Sequence, residues 1–107
     1  QYIILSKIST LKRLDLSFNK LNFFPKILCD LNNIECLILT GNFLTENDFP
    51  LEVQKYNKLN EINIDKNSLK KIPKALVLAS SSTLKFFSLN ENNISDLKHL
   101  SKFTKLK

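Results

Sequence analysis

The stretch that decides the fold reads LKRLDLSFNKL over residues 11–21. Its spacing, L-x-x-L-x-L-x-x-N-x-L, returns at 34–44, 59–69 and 84–94, with isoleucine or phenylalanine in place of some leucines. The copies begin 23, 25 and 25 residues apart. Self-similarity at a period of about 20–50 residues is typical of stacked repeat architectures. The sequence therefore predicts coils that bury their apolar residues against neighbouring coils.

Each copy alternates apolar and polar residues at its centre, as in Leu14-Asp15-Leu16-Ser17. A period of two sends successive side chains to opposite faces of a strand. We therefore expect one short strand per copy, and we expect these strands to stack in parallel in one sheet. The leucines then lie in the core, and the residues between them face outward.

This register resembles that of the leucine-rich repeat family, of the intracellular type. The resemblance implies an α/β solenoid: a curved, right-handed superhelix with a concave parallel β-sheet and convex 3₁₀ or short helical segments. It covers essentially the whole chain. Residues 1–107 are predicted to form a single domain fragment with repeats starting near 11, 34, 59 and 84 and partial repeats at both ends. We interpret the chain as an excerpt from a longer solenoid.

The connecting segments differ among copies and resemble a mixture of typical and phosphatase-regulator-like repeats. Residues 21–31 resemble the form L-x-x-L-P-x-x-I/L-x-x-L. A short helix is predicted near residues 74 to 80, after Pro73, and a broken or short helix within 45–56. The three-residue spacing of Ile94, Leu97, Leu100 and Phe103 favours a 3₁₀-like course.

One asparagine ends each copy's central stretch, where the chain turns inward. A side-chain amide at that place can serve backbone groups that would otherwise be unpaired. By resemblance these residues form the family's asparagine ladder, with a structural rather than a binding role: Asn19, Asn42, Asn67 and Asn92.

The outward strand positions have no second layer in the sequence to cover them, although parallel sheets are normally covered on both faces. We call this surface the concave face. Its four columns read Arg13, Asp15, Ser17; Cys36, Ile38, Thr40; Glu61, Asn63, Asp65; and Phe86, Ser88, Asn90. The residues predicted to bind a partner are Arg13, Asp15, Cys36, Ile38, Glu61, Asn63, Asp65, Phe86 and Ser88. The residues expected along the rim are Phe18, Gly41, Lys66 and Glu91.

The apolar members of the concave face favour a protein partner, because exposed apolar groups among polar neighbours mark contact sites. Its acids argue against nucleic acid, since they repel a phosphate backbone. The net charge of +6 arises mainly from lysines spread over the connecting segments, which is typical of a solvated surface. No apolar run approaches the roughly 18 residues of a membrane span. We therefore predict no membrane, nucleic-acid or small-molecule partner.

Catalytic and metal-binding groupings cannot be assembled from one histidine, His99, and two cysteines, Cys29 and Cys36. The single glycine, Gly41, excludes a glycine-rich phosphate loop. The chain is therefore predicted to be no enzyme by itself and to hold no metal or cofactor.

The two cysteines fall on different faces in the repeat register, so a disulfide is not expected. No cysteine cluster like those of extracellular family members is visible, which favours an intracellular and specifically cytoplasmic location, with the nucleus as an alternative.

The leading functional hypothesis is a protein-protein interaction module, a scaffold or regulatory subunit, that binds a protein on its concave face. The alternatives are a substrate-positioning repeat region of a larger multidomain enzyme and a purely structural spacer.

Overall fold

A computed structural model describes residues 10–80 and 82–96. The elements follow one another as strand, helical segment, strand along the described chain. In order they are β1 (Arg13–Asp15), a 3₁₀ helix (Lys26–Asp30), β2 (Cys36–Ile38), two 3₁₀ helices (Glu46–Asp48 and Leu51–Lys55), β3 (Glu61–Asn63), helix α1 (Lys74–Ser80) and β4 (Phe86–Ser88).

The four strands form one parallel sheet in the order β1-β2-β3-β4, which confirms the predicted architecture of an α/β solenoid. Their central residues are in register, Leu14 beside Leu37, Leu37 beside Ile62 and Ile62 beside Phe87. Backbone bonding continues past the strand ends, where the amide of Leu16 donates to the carbonyl of Ile38 at 2.8 Å. Each coil is thus tied to the next along more than its three strand residues.

The core consists of the inward-facing strand positions together with apolar residues of the convex segments, such as Val53 and Leu76. Leu37, Leu39, Ile62 and Ile64 have at most 1% of their surface exposed. Burial of one such side chain contributes roughly 1.5–3 kcal/mol. Phe87, which takes the place of an aliphatic residue in the fourth copy, is half-buried against this cluster.

The convex segments follow the sequence predictions where the structure describes them. Helix α1 covers Lys74–Ser80, the predicted range, and the amide of Leu76 donates to the carbonyl of Pro73 at 3.1 Å. The predicted broken helix in 45–56 is two 3₁₀ helices, because Phe49 is extended before Pro50.

Several sequence predictions lie outside the described residues. They concern the 3₁₀-like course at Leu97, Leu100 and Phe103, the position of His99 and the partial repeats at the two ends of the chain.

An aromatic cluster joins the convex segments of the first two described coils. The Phe24 ring lies 6.2 Å from that of Phe49 in a stacked arrangement and 6.3 Å from that of Tyr56, edge to face. The Tyr56 hydroxyl is buried and donates to the carbonyl of Leu28, one coil away. Aromatic pairs at such distances add to the stabilisation that burial provides.

Candidate functional site

The structure brings eight of the nine predicted binding residues together in two rows across the sheet. The strands are three residues long, so their first and last side chains face away from the core while the middle one faces inward. The first row is Arg13, Cys36, Glu61 and Phe86; the second row is Asp15, Ile38, Asn63 and Ser88. The ninth residue, Asp65, follows β3 by two positions and lies half-buried beyond its end.

Side chains in the first row contact one another along the sheet. The Arg13 guanidinium donates to the Cys36 sulfur at 3.6 Å and lies 3.8 Å from the Asp15 carboxylate. Burial raises the pKa of the Cys36 thiol, and the nearby Glu61 carboxylate raises it further. This thiol is therefore protonated at neutral pH and is a poor nucleophile.

Asp65 is the centre of a hydrogen-bond network at the other end of the face. Its Oδ1 accepts from the Ser88 hydroxyl at 2.6 Å and from the Asn90 amide at 2.7 Å. Its own amide donates to Asn63 Oδ1 at 2.9 Å, and the Thr40 hydroxyl donates to the same oxygen at 2.9 Å. Side chains from three neighbouring coils, Thr40, Asn63 with Asp65, and Ser88, are thus linked by hydrogen bonds within the chain itself.

The apolar residues of the concave face differ in how far they are exposed. Phe86 has 53% of its surface exposed, whereas Cys36 and Ile38 are half-buried. Between β3 and β4 the surface sinks into an open depression of about 270 Å³, lined by Glu61, Ile62, Asn63, Phe86, Phe87 and Ser88. The depression places an exposed aromatic ring beside a carboxylate.

The concave face is acidic although the whole chain carries a net charge of +6. The predicted residues include three carboxylates, Asp15, Glu61 and Asp65, and one cation, Arg13. Hydrogen bonds from the Ser17 hydroxyl and backbone amide lower the pKa of the Asp15 carboxyl below its ordinary value of 3.8. A basic partner would therefore be attracted to this face even though the rest of the chain is basic.

Three of the four asparagines assigned to the ladder, Asn42, Asn67 and Asn92, make side-chain hydrogen bonds between coils beneath this face. Asn42 is 3% exposed; its Oδ1 accepts from the amides of Asn19 and Leu21, and its Nδ2 donates to the carbonyls of Leu16 and Leu39.

The next two coils repeat the arrangement. Asn67 Oδ1 accepts from the amide of Leu44 at 3.0 Å, and Asn92 Oδ1 accepts from the amide of Leu69 at 3.0 Å. Asn19 is more exposed, and its Nδ2 donates to the carbonyl of Ser17. Where the amides are buried, they satisfy backbone groups that water cannot reach.

The rim residue before each ladder asparagine has a left-handed backbone. The φ angles are 56° at Phe18, 72° at Gly41, 57° at Lys66 and 57° at Glu91. Only at Gly41 does the residue type suit this conformation without steric cost. The exposed Phe18 ring lies against Gly41, where an added Cβ would meet its Cε1 at 2.2 Å.

Other exposed aromatics near the rim were not singled out from the sequence. Phe23 and Phe43 are 57% and 60% exposed. The repeat pattern contains no signal for them, because they occupy variable positions between its fixed leucines and asparagines.

The described residues hold no group of three or more His, Cys, Asp or Glu side chains placed to bind a metal ion. Within 10–80 and 82–96, no helix is both long and apolar enough to span a membrane. Both thiols are free, and burial raises the pKa of Cys29 on the convex side to about 11.

Comparisons of the sequence and of the fold with known proteins agree with each other. Residues 10–31 match the sequence model of the family described as Leucine Rich Repeat. The fold is similar to the solved structure of a leucine-rich repeat protein of Leptospira interrogans, with a TM-score of 0.81 and 29% sequence identity over 94% of this chain. The match covers 25% of that protein, so this chain spans about a quarter of its length.

Proposed function

Because this chain is a leucine-rich repeat protein, a family whose members generally mediate protein-protein interaction, we propose that it binds a protein partner on its concave face. In this proposal the chain acts as a scaffold or regulatory module rather than as a catalyst. The contact residues are those of the two rows, together with Asp65.

The observation that carries the proposal is the uncovered face of the parallel sheet. The segments Lys26–Asp30, Leu51–Lys55 and Lys74–Ser80 contribute Cys29, Val53 and Leu76 to the core cluster that holds the inward strand residues. The outward strand positions are half-buried or exposed, with no second layer of helices or strands over them among the described residues. A sheet that leaves Phe86 53% exposed beside charged side chains has the composition of a contact surface. The Phe86 ring is the candidate anchor for a partner, since aromatic residues often dominate binding energy.

The hydrogen-bond network around Asp65 supports the same proposal. Its side chains are already fixed by hydrogen bonds of 2.6–2.9 Å between neighbouring coils. A surface fixed before binding loses little side-chain entropy when a partner arrives. The network therefore favours recognition by a rigid surface over recognition by an adaptable loop.

An intracellular, cytoplasmic location forms part of the proposal. Cys29 and Cys36, the two cysteines of the sequence, are both free thiols. Free thiols are typical of proteins in reducing compartments.

The test is affinity capture from a lysate of the protein's own cells, with the chain as bait. The wild type is compared with an Ile38→Glu/Phe86→Glu variant, which places two charges on the concave face. The matched control is Leu51→Glu/Leu78→Glu, which makes the same two changes at convex residues that are 61% and 53% exposed. Circular dichroism checks that all three proteins are folded.

We expect proteins that the wild type and the convex control retain and the concave variant loses. Equal retention by the wild type and both variants would contradict concave recognition. Loss in the convex control alone would move the binding surface to the helical side.

A further inference from the structure

The depression between β3 and β4 is the most distinctive feature of the concave face. Glu61 and Phe86 are register partners on adjacent strands, and both are exposed. Neighbouring strands lie about 4.8 Å apart, so a single side chain of a partner can contact the carboxylate and the ring together.

The side-chain oxygens of the other two polar residues of the depression, Asn63 and Ser88, already have partners within the protein. Asn63 Oδ1 accepts two hydrogen bonds, and the Ser88 hydroxyl donates to Asp65. The Glu61 carboxylate accepts a hydrogen bond from the Cys36 thiol, and a thiol is only a weak donor. Glu61 is therefore the charged group of the depression that a ligand can engage most fully.

No lysine or arginine lines the depression. Arg13, the cation of the same row, is two strands away from Glu61 and lies 3.8 Å from the Asp15 carboxylate. The negative charge beside the Phe86 ring thus lacks a cation among the lining residues. Charge complementarity selects a positively charged occupant.

An aromatic face and a carboxylate together favour one kind of side chain. A guanidinium can stack on the ring while its N–H groups donate to the carboxylate, whereas an ammonium is a compact, strongly hydrated charge. We propose that this depression receives an arginine side chain of a basic segment in the protein partner. The proposal rests on the proposed function, because it names the chemistry that the concave face recognises.

The experiment selects phage-displayed random dodecapeptides on the immobilised 107-residue chain. Enriched peptides are then synthesised with a fluorophore, and their dissociation constants are measured by anisotropy. Each is measured against wild type, Glu61→Gln, Phe86→Leu and Ile38→Glu. Glu52→Gln is the control for charge, because it removes one carboxylate from the convex side, where Glu52 pairs with Lys26 at 3.3 Å. A second set of peptides carries citrulline in place of arginine, which removes the charge and keeps the shape.

We expect enriched peptides to contain arginine and to bind about tenfold more weakly after Glu61→Gln, after Phe86→Leu and after the change to citrulline. Glu52→Gln leaves the affinity unchanged. Citrulline is expected to have little further effect on binding to Glu61→Gln, because both changes remove the same ion pair.

Two results would overturn the arginine site, and they bear differently on the proposed function. Peptides that lose affinity with Ile38→Glu but not with Glu61→Gln would refute the site and leave concave recognition standing. Failure to obtain any peptide whose affinity depends on Ile38, Glu61 or Phe86 would count against both proposals.

Discussion

Asn42 and Asn63 are 21 residues apart and both belong to repeat coils, but Asn42 lies in the buried asparagine ladder and Asn63 lies on the concave face. Asn42 is buried, and its amide bonds backbone groups of two coils. Asn63 is half-buried on the concave face and accepts from the Thr40 hydroxyl and the Asp65 amide. The difference teaches that one residue type supports the fold inside the coil and orders the side chains of the concave face outside it.

The largest expected effect comes from replacing the two asparagines by leucine in turn. Asn42→Leu leaves the amides of Asn19 and Leu21 without their acceptor and two carbonyls without their donor, so the free energy of unfolding should fall by about 3 kcal/mol or more. Asn63→Leu should cost less than about 1 kcal/mol, because water can reach its former partners. Urea unfolding followed by circular dichroism measures both. Equal losses would remove the distinction between the two regions.

A smaller effect is expected at the rim, where the chain passes from the concave face to the ladder. Lys66 and Gly41 occupy equivalent left-handed positions, with φ of 57° and 72°. Lys66→Gly should stabilise the fold by about 0.5 kcal/mol, because glycine adopts this backbone without steric cost.

The reverse change provides the matched control for the rim. Gly41→Ala should destabilise the fold by about 1 kcal/mol or more, since alanine is strained at positive φ and its Cβ would meet the Phe18 ring, which must move away. The same urea titrations would show the two shifts, and shifts of equal sign would contradict a backbone origin.

The smallest effect concerns a backbone amide, that of Lys70, whose hydrogen-bond acceptor is a carboxylate and not an asparagine side chain. Glu46 accepts from the Lys70 amide at 2.9 Å, and this bond lowers the pKa of Glu46 from its ordinary value of 4.5. Because its pKa is lower in the folded chain than in the unfolded chain, the ionised Glu46 carboxylate stabilises the fold above pH 4.5. This contribution is lost as the pH falls through the pKa that Glu46 has in the folded state.

Glu46→Gln keeps an acceptor for the Lys70 amide and removes the titration. Thermal unfolding of this variant should therefore decline less than that of wild type below pH 4.5. The asparagine side chains of the ladder do not titrate and therefore add no pH dependence of their own. If the melting temperatures of Glu46→Gln and wild type fall in parallel as the pH is lowered, the bond from Glu46 to Lys70 contributes nothing to acid sensitivity.

Much of the fold could be predicted because the repeats carry the same local signals, namely alternating apolar and polar residues and, in the first three copies, a proline before a helical segment. Alternation placed the four strands, and Pro73 followed by apolar residues placed helix α1 at Lys74–Ser80. The aromatic cluster of Phe24, Phe49 and Tyr56 could not be predicted, because the convex segments differ from coil to coil and these rings meet only when the coils stack.

The sequence by itself determined the period of the coils, the side of the sheet on which each residue lies and the net charge of the chain, since these depend on near neighbours and on composition. Only the tertiary structure decided which side chains of the concave face are already engaged. Asp65 bonds Ser88 from 23 residues away, whereas Glu61 and Phe86 border an open depression. Those pairings depend on the stacking of coils and on the rotamers it permits, and the spacing of residues along the chain does not specify them.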